Sequence, residues 1–395
     1  MSLPEFKLKP VNDNPINDAR LLGHDVIIQT LKEFVESNEM ISSSSVAIHG
    51  DWGTGKTSIM RTLVDKLEKE KIETLFFEAW KYEYTNPSLA LIAEISNKYR
   101  GKDTELAKKI VEAAIFILTN KFLDIDIEAV GRILRGNAQR ISSITDDLKK
   151  IIDSIGKKLV IVIDDLDRCD VENSLQILAL MKLFLSTDNC ITIAAVDFKR
   201  LQQAWKMKYQ ITENDKESRD YLDKIFQIRI AIPVPTRVRI MEYLLSLTEN
   251  MPNELQEIFA TLSPSNPRAI KRMLNLISYR SFLLDSPSKF YSSCLWTGLE
   301  QKLGNENLIL LCDLINPHTT LAERVISGKY EEFQQVLNKY PRTVWEKIDL
   351  DVVRFFIERS HNLVTGYGIV PNDLKIDFET LYINTREYLS THHPK

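Results

Sequence analysis

Two kinds of hydrophobic pattern alternate along the chain up to about residue 235, and only one of them continues beyond it. Leu22 to Val35 carries apolar residues at helical spacing and predicts an amphipathic helix. The polar run Ser42-Ser43-Ser44-Ser45 then leads into Val46-Ala47-Ile48, a short apolar stretch that predicts a buried strand. After a glycine-rich turn comes a helix from about Thr57 to Lys71, with Ile59, Leu63, Val64 and Leu67 on one face. Thr74-Leu75-Phe76-Phe77 predicts the next strand. Residues 87–156 read as almost wholly helical, with breaks near Gly101, Gly131 and Gly136. Leu159 to Ile163, Ile191 to Val196 and Phe226 to Ile232 add three strands, the last stopped by Pro233 and Pro235. Strands alternating with helices predict an α/β fold with a parallel sheet covered on both faces. From Thr236 onward the strand signals stop and helical patterns dominate, among them Tyr330 to Leu337 and Val352 to Ile357.

Composition narrows the class. At about 150 residues per domain, 395 residues predict two or three domains with ample core. The hydrophobic fraction of 44% and charged fraction of 27% exclude a disordered chain. Lys+Arg total 51 against Asp+Glu 55, and a net charge of −4 argues against a protein that coats nucleic acid. Met1 to Pro10 has no apolar core and does not read as a signal peptide. The longest apolar-rich stretch, Val111 to Leu118, contains Glu112 and is far shorter than the roughly 18–20 residues of a membrane span. Cys169, Cys190, Cys294 and Cys312 form no CxxC pair and no metal-finger spacing, which fits a reduced, cytoplasmic setting. His-Glu-x-x-His and Gly-x-Ser-x-Gly are both absent, so neither a zinc protease nor a serine hydrolase is indicated.

The chemistry is concentrated in two motifs. Gly50-Asp51-Trp52-Gly53-Thr54-Gly55-Lys56-Thr57 matches G-x-x-x-x-G-K-[ST] in full, between a predicted strand and a predicted helix, with Ser58 following inside that helix. Glycines let the backbone wrap a phosphate, Lys56 reaches the β/γ-phosphates, and the Thr57 hydroxyl suits Mg²⁺. The helix N-terminus adds its own attraction for anions. In Leu159-Val160-Ile161-Val162-Ile163-Asp164-Asp165 five apolar residues run into acids, the Walker B pattern of a buried strand that delivers a carboxylate to a metal. Asp164 is then the Mg²⁺ residue. Asp165 is placed either to orient the attacking water or to cap the segment that follows. Asp167 and Arg168 are either a structural ion pair beside the site or functional groups. No Asn-Lys-x-Asp occurs, so ATP is favoured over GTP. Gly23, in Leu21-Leu22-Gly23-His24-Asp25, lies one helix and loop before the P-loop; it either meets adenine or starts the helix. Trp52 and Trp80 read as packing residues near the site.

Together with Glu78-Ala79-Trp80-Lys81-Tyr82, Ile163-Asp164-Asp165-Leu166-Asp167-Arg168-Cys169, Tyr221-Leu222-Asp223-Lys224-Ile225-Phe226-Gln227 and Ser265-Asn266-Pro267-Arg268-Ala269-Ile270-Lys271-Arg272, the P-loop resembles the KAP P-loop NTPases. The resemblance runs from about residue 20 to 280. It implies an additional-strand P-loop ATPase near the STAND and AAA+ groups, with a helical lid. Many members of that family carry membrane helices between the two Walker elements, whereas residues 87–156 here are too polar for that. The resemblance also implies that Asp197, closing the strand after Ile191, is a polar sensor near the γ-phosphate; its other reading is a turn residue. It makes Arg268 a sensor arginine of the lid, against the alternative of a solvated charge. The expected organisation is a P-loop core over 20–235 with its insertion at about 87–156, a lid over 236–281, and a helical region over 282–395 without nameable chemistry. The expected function is a Mg²⁺-dependent ATPase that acts as a switch or motor on a protein partner or on itself. A nucleotide-locked scaffold and a nucleic-acid remodeller are the alternatives. Relatives of the family imply a role in defence against phage.

Overall fold

The structure is a computed structural model that describes residues 7–8, 11–12, 14, 21–37, 43–99, 158–184, 189–209, 215–316 and 320–392. The chain divides into two compact units. Pro15–Pro233 forms a sheet unit, and Met1–Asn14 with Val234–Lys395 forms a helical unit.

In the sheet unit the elements are α1 (His24–Glu36), β1 (Ser43–His49), α2 (Lys56–Lys69), β2 (Glu73–Glu78), α3 (Pro87–Tyr99), β3 (Leu159–Asp164), α4 (Val171–Phe184), β4 (Cys190–Val196), α5 (Phe198–Tyr209), α6 (Asp215–Ile225) and β5 (Ile228–Ala231). The strands form one parallel five-stranded sheet in the order β2-β3-β4-β1-β5. β4 therefore stands between the P-loop strand β1 and the acidic strand β3, the additional-strand arrangement that the resemblance implied. Successive residues of β3 serve opposite faces. Val160 and Val162 pack with Ile28, Leu31, Ile59 and Leu63 of α1 and α2. Ile161 and Ile163 pack with Leu91, Ile95, Leu178 and Met181 of α3 and α4. Both faces being covered, β3 and β4 are buried at every position. That is why they read as unbroken apolar runs, and each large side chain so buried contributes about 1.5–3 kcal/mol.

The last strand begins later than expected. Phe226 and Gln227 were expected in the last strand, but Phe226 N–H donates to Leu222 O and ends α6 before β5 begins. In the predicted insertion, Pro87–Tyr99 is helix, and residues 100–157, with the expected breaks at Gly101, Gly131 and Gly136, lie outside the described residues.

The helical unit contains α7 (Arg237–Leu247), α8 (Asn253–Leu262), α9 (Pro267–Ser281), α10 (Lys289–Leu303), α11 (Asn305–Ile315), α12 (Leu321–Ser327), α13 (Tyr330–Leu337), α14 (Arg342–Trp345), α15 (Leu350–Tyr367) and α16 (Pro371–His392). Its centre is α10, buried nearly all round from Tyr291 to Glu300 and at Leu303. The segments expected as lid and tail thus share one unit, joined where α9 packs on α10. Among the described residues strand recurs after Thr236 in one place: Thr248–Glu249 pairs antiparallel with Lys7–Leu8. The start of the chain is further tied down by α9. Asn275 accepts from Val11 N–H at 2.7 Å and donates to Val11 O at 2.9 Å, while Lys271 Nζ donates to Asn12 O and Asn14 O. Among the described residues no helix is long and apolar enough to cross a membrane.

Candidate nucleotide-binding site

Parallel strands end together, so the carboxyl edge of the sheet gathers whatever follows β1, β2, β3 and β4. Here that brings together the P-loop, Glu78, Asp164 with Asp165, and Asp197.

The loop between β1 and α2 is built for close approach. Gly53 and Gly55 adopt φ of 84° and 99°, which side-chain-bearing residues rarely take. A Cβ on Gly55 would also lie 2.7 Å from Cε1 of His24, and one on Gly50 would lie 2.8 Å from Thr54 Oγ1. Gly55 precedes α2, whose first turn lacks a side-chain cap. The N–H groups of such a terminus attract an anion. Thr54 Oγ1 donates to Asp51 O at 2.8 Å and closes the loop. Lys56 is buried with its ammonium folded into the loop, donating to Gly50 O at 2.7 Å and to Asp51 O at 3.2 Å, with Asp167 Oδ2 at 3.9 Å. Thr57 and Ser58 continue α2 inward; Ser58 O accepts from Thr62 Oγ1. The Asp51 carboxylate points out, 3.9 Å from Lys199 Nζ.

Asp164 closes β3 in register with Glu78 of β2. Its Oδ1 accepts from Asp165 N–H at 2.9 Å, whereas Oδ2 is buried without a hydrogen-bond partner among the described residues. Burial, reinforced by the neighbouring Asp165, pushes its carboxyl up to about 7, against the pull of the Thr57 hydroxyl. An orphaned carboxylate oxygen beside a threonine hydroxyl fits a hydrated divalent cation, which would supply the charge that burial withholds. The residues present therefore fit Mg²⁺. No group of three or more His, Cys, Asp or Glu side chains that could hold a metal by themselves occurs among the described residues. A cation here would take further ligands from phosphate and water.

Asp165 takes φ 55°, ψ 28°, a left-handed conformation uncommon for a residue with a Cβ. Burial raises its carboxyl, and Arg168 opposes that rise. Arg168 Nε lies 2.9 Å from Asp165 Oδ1, so the arginine pairs with Asp165, and Asp167 faces Lys56 instead. Of the two readings of Asp167 and Arg168, the ion pair between them gives way to these two contacts.

Asp197 follows β4 and uses Oδ1 to accept from Lys199 N–H at 3.0 Å and Arg200 N–H at 3.3 Å, capping α5. Gly23 precedes α1 at φ 84° with open space around its Cα. Arg268 lies in the helical unit, second in α9, its N–H accepted by Asn266 Oδ1 at 3.0 Å. Trp52 and Trp80, expected as packing residues, are 45% and 51% exposed; Trp80 instead carries the Arg168 guanidinium 5.5 Å above its ring.

Two residues joined the site to which the sequence reading gave no role. His24 packs its ring against Gly55, and burial lowers it to about 4. Glu78 stands beside Asp165 and is held by Arg61 Nη2 at 2.7 Å. Their signal lay in position, since His24 adjoins Gly23 and Glu78 ends the strand next to Asp164.

Comparison with known proteins identifies residues 24–284 with the family described as KAP family P-loop domain. An uncharacterised protein of Methanocaldococcus jannaschii is 55% identical over 40 residues, 10% of this chain, which spans about a fifth (21%) of that protein's length. Among solved structures, the ORC1 protein of Aeropyrum pernix in complex with DNA matches with a TM-score of 0.39 and 10% identity, over 89% of this chain and 85% of that one. AMPPCP-bound DnaA from Aquifex aeolicus matches with 0.37 and 12%, over 91% and 93%.

Proposed function

Because the chain belongs to the KAP family of P-loop NTPases, we propose that it binds ATP with Mg²⁺ at Gly50–Ser58 and hydrolyses it as a switch or motor. The observation that carries this reading is the pairing of a glycine-shaped loop ahead of α2 with the orphaned Asp164 Oδ2 beside Thr57. When bound, Mg·ATP supplies a phosphorus open to in-line attack, with its oxygen charges partly neutralised by the metal.

The protein's own groups do the rest. Lys56 exchanges the Gly50 and Asp51 carbonyls for β/γ-phosphate oxygens, a stronger acceptor for an ammonium. The N–H groups of the α2 N-terminus hold the same phosphates. Thr57 and Asp164 hold the metal. Asp165 orients the attacking water and accepts its proton. Asp197 is the polar group at the end of β4, its cap on α5 leaving Oδ2 for a role toward the γ-phosphate. We assign to Arg268, on its sequence motif, the coupling of nucleotide state to the helical unit, through which a protein partner or a second copy is met. Defence against phage is the biological setting that the family resemblance favours.

The direct test of nucleotide binding is Lys56→Ala. It removes the motif's only cation, and ATP affinity measured by equilibrium titration is expected to fall by about 100-fold or more. Unchanged affinity would defeat the site.

A further inference from the structure

The proposed base, Asp165, does not stand alone. Its Oδ1 lies 2.9 Å from Arg168 Nε, an ion pair by distance in which Nε–H is not aligned as a hydrogen bond, and the backbone closes the same turn, Arg168 N–H donating to Asp165 O at 3.1 Å. Both side chains are largely withdrawn from water, 20% exposed for Asp165 and 27% for Arg168. Arg168 is fixed from its other side by the indole of Trp80, 5.5 Å away, the distance of a cation held over an aromatic face.

Trp80 itself is held in place. It belongs to the turn Ala79–Tyr82 after β2, and that turn is stitched to the segment after β3. Glu83 Oε1 accepts from Asp170 N–H at 2.7 Å, Glu83 O accepts from Asn173 Nδ2 at 3.2 Å, and Asn86 Nδ2 donates to Gln176 Oε1 at 3.0 Å. Indole, guanidinium and carboxylate therefore form a row of contacts whose indole end adjoins the tethered residues Glu83 and Asn86. Asp165 needs such support, because its left-handed backbone leaves the carboxylate among negative neighbours, Asp167 and Glu78, with Lys56 also near. An ion pair on open surface would contribute little. Here the guanidinium lies over an indole face, 5.5 Å from its centre, and is partly desolvated, the circumstances in which arginine fixes orientation.

We propose that Arg168, braced on Trp80, is a positioning residue that holds the Asp165 carboxylate in its working orientation, so that it governs turnover and leaves nucleotide affinity alone. The proposal rests on the reading of Asp165 as the group that addresses water.

Full-length Arg168→Ala, Arg168→Lys, Trp80→Leu and Trp80→Phe are compared with the parent and with Asp165→Asn. Three quantities are read: kcat, the dissociation constant for a non-hydrolysable ATP analogue with Mg²⁺, and indole emission. Arg168→Ala is expected to lose about tenfold or more in kcat while analogue affinity stays within about twofold. Arg168→Lys recovers part of the loss; Trp80→Phe stays near the parent and Trp80→Leu falls between. The Trp80 emission, isolated as the difference between parent and Trp80→Phe, is expected to shift when Arg168 is removed, even without nucleotide. Parental kcat in Arg168→Ala, an equal loss of kcat and affinity, or unaltered Trp80 emission would each overturn the proposal. If Asp165→Asn is dead and Arg168→Ala keeps the parental kcat, only the positioning role falls. If Asp165→Asn turns over like the parent, the reading of Asp165 fails and takes this one with it.

Discussion

His24 shows how much one side chain beside a phosphate loop can set. Its ring closes against Gly55, so the loop is backed by a buried imidazole that must stay neutral. Burial lowers its pKa to about 4, with Asp25 opposing. An unfolded histidine titrates near 6.5, so between these values the unfolded chain binds the extra proton. The stability His24 contributes is thus complete above about pH 6.5 and is lost as pH falls toward 4, by up to about 3 kcal/mol. Urea unfolding at pH 7 and pH 5 is expected to show this loss in the parent and a smaller one in His24→Met. Equal losses would mean that other groups carry the acid sensitivity. The functional residues divide in the same local way. Lys56, Thr57 and Asp164 announce themselves by motif, because the chemistry demands those types at fixed spacing. The partner of Arg168 does not: Asp165, Asp167 and Asp170 all lie within three residues of it, and only the left-handed turn at Asp165 decides among them.

At the scale of elements, the sheet was legible because burial on both faces leaves apolar runs of strand length, as in β3 and β4. Strand order was not legible from the pattern, since every central strand of such a sheet looks alike, and it came instead through the family resemblance. The pairing of Lys7–Leu8 with Thr248–Glu249 was hidden as well, two residues being too few to show a period. Helix contacts beyond residue 236 were equally silent, and one of them supports a prediction. Arg280 of α9 meets Glu300 of α10 through two bonds of 2.6 and 2.7 Å, with Nη1 also donating to Thr297 Oγ1. Both side chains are nearly buried, 11% and 5% exposed. Arg280→Met alone strands the Glu300 charge and is expected to cost about 3–5 kcal/mol in denaturant unfolding, much of it regained in Arg280→Met with Glu300→Leu. No recovery in the double variant would mean that the pair itself, and not its imbalance, stabilises the helical unit.

At the scale of the whole molecule the chain visits its helical unit twice. Residues up to Asn14 belong to that unit, Pro15–Pro233 builds the sheet unit, and the chain returns at Val234. The helix that carries Arg268 in its first turn also holds the start of the chain, through Lys271 and Asn275. One helix thus carries both the arginine assigned to nucleotide sensing and the anchor of the N-terminal segment. In our reading, hydrolysis at the sheet edge is the event that this helix answers to. The central claim is therefore that the site turns ATP over and that Asp165 does it. The measurement is phosphate release from pre-bound Mg·ATP, parent beside Asp165→Asn, at matched occupancy. Asp164 keeps the metal in the variant, so ATP is expected to stay bound while release slows by about 100-fold or more. Equal release rates in the two proteins would contradict the account and leave Asp165 a structural residue.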